Sequence, residues 1–126
     1  MTEIIRLDIY NRDVVVHCGG VKQLRKYLSG FMSQEVCKEI CDSLYDCELG
    51  RTLEIKNSDI LVYLPKEPTD AKSLGVLIHE LFHATYFVLQ KAGIVCNDSA
   101  DEAYAYLLEF LVEKTLNALS VSLPLS

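Results

Sequence analysis

From Leu74 to Leu89 the chain runs for sixteen residues in which the only ionisable side chains, tyrosine aside, are His79, Glu80 and His83. Leu-Gly-Val-Leu-Ile precedes these groups and Ala-Thr-Tyr-Phe-Val-Leu follows them. A helix apolar on all sides is a buried helix, so this segment predicts the core helix of the fold. Two imidazoles and a carboxylate in such a helix are costly unless they are paired or bind a metal. The run falls short of the ~20 apolar residues that a membrane span requires, and it carries charge at its middle.

His79-Glu80-Leu81-Phe82-His83 has the pattern HExxH. Residues 79 and 83 stand one helical turn apart, roughly 40° around the axis, so both imidazoles can reach one cation. Glu80, rotated about 100° from His79, addresses a water beside the cation rather than the cation itself. This spacing predicts a zinc site of the hydrolase kind, with His79 and His83 as ligands and Glu80 as general base.

A chain of 126 residues with half its positions hydrophobic and 24% charged is expected to form one domain, residues 1–126, around one core. The net charge of −6 argues against a nucleic-acid partner, which needs a basic face. Lys22, Arg25 and Lys26 are the one local basic cluster and read as a solvated helix face. The first residues lack a basic segment followed by a continuous apolar one, so no signal peptide is read, no membrane association is expected, and the expected compartment is the cytosol. Five cysteines without scaffold spacing fit reduced thiols. Cys37 and Cys41, with Cys47 beyond them, raise a second metal site, but at helical spacing on an apolar face they read as small hydrophobes.

Short β-branched runs at Glu3 to Ile9 and Asp13 to Cys18 predict a hairpin through Tyr10-Asn11-Arg12. Helices are expected over Val21 to Leu28 and from Ser33 to about Cys47, the second closed by Gly50. Arg51 to Lys56 alternates, with Leu53 and Ile55 on one side. Asn57-Ser58 then turns into the strand Asp59 to Leu64. The motif helix is expected from about Asp70 to Ala92, ended by Gly93, and a last helix from about Ala100 to Leu119. The tail Ser120 to Ser126 is expected to fray or to cover an apolar edge. The order β-β-α-α-β-β-α-α predicts an α+β domain, a small antiparallel or mixed sheet packed on helices.

A catalytic zinc takes a third protein ligand and keeps one position open. His17, the cysteines and the acids near Asp98 are the candidates. Glu102, 19 positions after His83, is favoured, because a short antiparallel return can bring the start of the last helix to the middle of the motif helix. Glu102 also completes a capping box with Ser99 and shares a stripe with Tyr106, Glu109 and Glu113 that can simply be wet. Asp98 and Asp101 remain alternatives.

HExxH followed by Glu102 resembles the gluzincin arrangement of zinc metallopeptidases. The chain is also similar to minimal gluzincins and to peptidase-like proteins of phages and mobile elements, over residues 59 to 112. The resemblance implies a zincin-like domain with Zn²⁺ on His79, His83 and Glu102, and Glu80 as base. It also implies that the strand Ile60, Leu61, Val62, Tyr63, Leu64 adds an extended peptide as an extra strand. Two features depart from the group. Tyr106 stands where members often carry an acid, and no histidine follows Glu102 to stabilise an oxyanion. Tyr86, Tyr104 and Tyr106 are the candidates for that task, although aromatic packing accounts for Tyr86 as well. The expected activity is hydrolysis of peptide or protein substrates. The alternative is a zinc-binding module, weakly active or inactive, that docks a partner peptide. Nothing in the sequence bears on oligomeric state.

Overall fold

The computed structural model describes residues 1–119, so the expectation for the tail from Ser120 onward lies outside the described residues. Strands β1 (Thr2–Leu7) and β2 (Arg12–Cys18) form the expected hairpin. A 3₁₀ turn over Asp8–Tyr10 replaces the end of the first predicted strand, and Asn11 closes it in the left-handed region. Helices α1 (Val21–Leu28) and α2 (Gln34–Asp42) follow, then β3 (Arg51–Glu54), β4 (Ile60–Leu64), α3 (Ala71–Lys91) and α4 (Asp101–Leu119). The domain is α+β, with a small mixed four-stranded sheet and four helices.

The strand order is β1-β2-β4-β3. β1–β2 and β3–β4 are antiparallel, and β2–β4 is a parallel seam with Val14 opposite Ile60 and Cys18 opposite Leu64. β4 is buried at every position, as a strand covered on both faces must be. Its alternate residues divide the interior in two. Ile60, Val62 and Leu64 join Val14, Val16, Leu77, Leu81, Leu107 and Leu111 beneath α3 and α4. Leu61 and Tyr63 join Val15, Leu24, Leu28, Cys37, Cys41 and Leu44 beneath α1 and α2. Burying a leucine such as Leu77 or Leu81 completely contributes about 2 kcal/mol.

Helix ends follow local chemistry. Ser33 accepts from the Val36 amide to start α2. That helix stops at Asp42, not at Cys47. Ser43 returns its hydroxyl to the Ile40 carbonyl, and a further turn tucks Leu44 into the core. Asp70 and Ser73 make a reciprocal capping box at the start of α3. Gly93, at φ +80°, ends it. The Gly93 amide donates to Gln90 and the Ile94 amide to Leu89, a paired closure that requires the left-handed conformation.

Two expectations need correction here. The motif helix is not buried on all sides: Leu77, Glu80, Leu81, Ala84, Thr85, Val88 and Leu89 face the core, while Gly75, His79, Phe82, His83 and Tyr86 are exposed. The strand Ile60, Leu61, Val62, Tyr63, Leu64 cannot accept a peptide as an added strand. Its hydrogen-bonding edges are already taken by β2 on one side and β3 on the other. The edges of the sheet are β1 and β3.

Candidate functional site

Helix α3 lies over β4 and the edge strand β3, and this placement sorts the three polar groups of its middle turns. His79 and His83 project to solvent with their Nε2 atoms 3.2 Å apart. Two nitrogens held at ~2.0–2.1 Å by a tetrahedral ion stand about 3.3 Å apart, so the pair has the spacing a zinc ion requires. With no ion between them, the same contact is an imidazole–imidazole hydrogen bond.

Glu80 points the other way. It is 8% exposed, wedged against the start of β3. The Thr52 hydroxyl lies 2.8 Å from Glu80 Oε1 and 3.0 Å from the Glu80 backbone carbonyl. Oε2 stands 3.9 Å from the His79 Nε2. The carboxylate thus lies beside the imidazole pair, anchored from the side of the sheet.

The approach of the strand depends on Gly50. A Cβ there would lie 3.0 Å from Glu80 Cγ and 3.1 Å from Val76 Cγ1. In the sequence Gly50 is only a helix stop, and no motif singles out Thr52. The alternation of Arg51 to Lys56 held the signal, because it put Thr52 on the side opposite Leu53. Toward the start of α3, Val76, Ser73 and Asp70 border a cleft closed by Leu49, Leu64 and Pro65.

The proposed third ligands are placed elsewhere. His17 shares its face with Val15, across the sheet from α3. Its Nδ1 is 2.7 Å from the Thr2 hydroxyl and its ring is stacked on Tyr63. Burial pushes this imidazole below its ordinary value, against the Gly20 carbonyl, which raises it. Cys18 and Cys41 are buried thiols, each pushed up to about 11 mainly by desolvation. Cys47 is half-buried and also raised by burial, with Arg51 opposing.

Glu102 is exposed in the first turn of α4. That turn lies beside the C-terminal end of α3, not its middle: the Tyr104 hydroxyl donates to the Ile94 carbonyl and is 3.4 Å from Gln90 Nε2. Gln90 is seven residues beyond His83, ~10 Å along the axis. Among the described residues no three His, Cys, Asp or Glu side chains gather as a metal-holding group, so neither Glu102 nor Asp98 nor Asp101 is assembled with the imidazoles.

The tyrosines separate as well. Tyr104 is 4% exposed and its hydroxyl is engaged at Ile94, which removes it as an oxyanion donor. Tyr106 is exposed on α4. Tyr86 is exposed on the face that carries His83, with its ring 6.3 Å from that of Tyr104.

Comparison with known proteins corrects the resemblance drawn from the motif. The family model that matches is the Armadillo/beta-catenin-like repeat, over residues 8–45, and not a zincin or gluzincin family. The gluzincin assignment therefore does not stand. The match spans less than a third of the chain and covers β2, α1 and α2, whereas such repeats are built of helices alone. No curated protein and no solved structure matches the chain.

Proposed function

We propose that the protein is a zinc-dependent hydrolase of peptide bonds, with the site on the exposed turns of α3. The observation that carries this reading is the convergence of the His79 and His83 Nε2 atoms at 3.2 Å with the buried Glu80 carboxylate beside them. His79 and His83 would hold the ion. When bound, Zn²⁺ supplies Lewis acidity toward a carbonyl oxygen and draws the pKa of water toward ~7. Oε2 of Glu80 accepts a proton from the attacking water as its oxygen bonds to the carbonyl carbon. The same carboxyl group then gives that proton to the departing amine as the C–N bond breaks.

The edge beside this site is β3. Among the described residues no further strand pairs with its outer side, and Thr52 links it directly to Glu80. An extended peptide paired there would run past the carboxylate, which favours unfolded segments over compact proteins as substrates. Tyr86 is the remaining hydroxyl on the face of the imidazoles. Among the described residues no helix is long and apolar enough to cross a membrane. All five cysteines are free thiols, which supports a reducing compartment.

A second reading is favoured by one observation, the lack of a third gathered ligand among the described residues. In it the chain binds zinc through two histidines and docks a partner peptide without cleaving it. A peptide-library digest with zinc-loaded protein decides between the two. Cleavage by the native chain and none by Glu80→Gln supports the hydrolase. Identical profiles discard it in favour of the binding module.

A further inference from the structure

We propose that Thr52 is a positioning residue for the motif carboxylate: its hydroxyl holds Oε1 of Glu80 and thereby turns Oε2 toward His79. The functional part of this inference rests on the hydrolase reading, whereas the bond itself does not.

A carboxylate that is 8% exposed has given up most of its water and must find a donor within the protein. Among the described residues, Thr52 is the side chain that donates to it. The hydroxyl has one proton and two acceptors in reach, Oε1 at 2.8 Å and the Glu80 carbonyl at 3.0 Å. An ionised oxygen is the stronger acceptor, and the carbonyl already belongs to the helix ladder, so the proton goes to Oε1. With Oε1 held from the sheet side, Oε2 is the oxygen left near the imidazoles, 3.9 Å from His79 Nε2.

The surrounding backbone serves the same contact. Gly50 lets β3 approach the helix so closely that any side chain would meet Glu80 Cγ at 3.0 Å. Pairing of Thr52 with Val62 fixes the hydroxyl to the sheet, so the anchor is part of a rigid element and not of a loop. Without that anchor no side chain among the described residues donates to Oε1. A misplacement of ~1 Å in a catalytic group can cost on the order of 100-fold in rate.

The test uses the full chain, zinc-loaded, on one peptide taken from the library digest. Thr52→Val keeps shape and removes the donor, and Thr52→Ser restores the donor. For Thr52→Val the expected result is native zinc content, KM within about twofold and kcat lower by about 100-fold, with Thr52→Ser within about fivefold of native. Native kcat in Thr52→Val overturns the inference.

A native chain that matches the Glu80→Gln blank sinks the hydrolase reading instead, and a second measurement then decides the bond. In metal-free protein with ¹³C-labelled glutamate, the side-chain carboxyl line of Glu80 is identified by its loss in Glu80→Gln. It is expected away from the solvated glutamates in the native chain and in Thr52→Ser, and among them in Thr52→Val. A line unmoved by Thr52→Val overturns the inference whether or not the protein turns over.

Discussion

The Nε2 atoms of His79 and His83 stand 3.2 Å apart on the solvent side of α3, while the residue next to His79 turns its carboxylate inward to the edge of the sheet. One helix thus presents two imidazoles outward and holds a carboxylate beneath them. Either His79→Ala or His83→Ala is expected to weaken zinc binding by more than about 100-fold, a loss that outer partners of metal sites already approach. Glu80→Gln is expected to leave binding unchanged. Competition against a chromophoric chelator measures all three.

Glu102→Ala is expected to bind zinc like the native chain, within about threefold, because its turn of α4 meets α3 around Tyr86 and Gln90 and Glu102 is not gathered with the imidazoles. Asp98→Ala and Asp101→Ala should behave in the same way. A tenfold or larger loss in any one would mean that the start of α4 moves to the imidazoles when the ion enters.

Gly50→Ala is expected to destabilise the fold by about 1–3 kcal/mol, the usual cost of adding atoms to a filled contact. The new methyl would press on Glu80 Cγ and Val76 Cγ1 at 3.0 and 3.1 Å. Urea unfolding gives the value, and a change within about 0.5 kcal/mol would show that α3 yields without cost.

His17 should make stability fall in mild acid. Burial holds its imidazole below the ordinary value near 6.5, so the neutral ring is favoured in the folded state. That contribution is complete above the unfolded value and is lost as the pH falls through the lower, folded one. Unfolding free energy is therefore expected to drop below about pH 6.5 more steeply in the native chain than in His17→Gln, which removes the titration. Parallel pH profiles for the two would count against the assignment.

Much of the architecture was legible because it rests on local chemistry. Gly93, the Asp70 cap and the β-branched hairpin strands each act over a few residues, and the elements they bound fall close to the expected positions. What sequence could not convey was lateral order. Ile60 to Leu64 reads as a strand from its composition, but only the parallel pairing with β2 makes it interior and moves the free edge to β3. The same holds at the site. Helical spacing set His79 and His83 on one face with Glu80 turned from it, whereas Thr52 and Gly50 meet Glu80 across 28 and 30 positions of chain that no local pattern spans. Glu102 is not gathered with the imidazoles, and the sequence held no signal of this, because loop length fixes that two helices meet but not at which turn.

The parallel seam between β2 and β4 also sets how this chain can fold. Both hairpins close locally, but the seam joins residues far apart in sequence, as the Asp13 amide on the Asp59 carboxylate shows across 46 positions. The β2 edge of the apolar strand β4 stays open until the chain between the hairpins has been gathered, and loop-closure entropy must be met before the pairing returns any energy. Docking of the two hairpins is therefore expected to be the slow step, which stopped-flow refolding would time. Until the two hairpins dock, Ile60 to Leu64 keeps one open edge on an uncharged strand, the edge through which newly made copies of this chain would stick to one another.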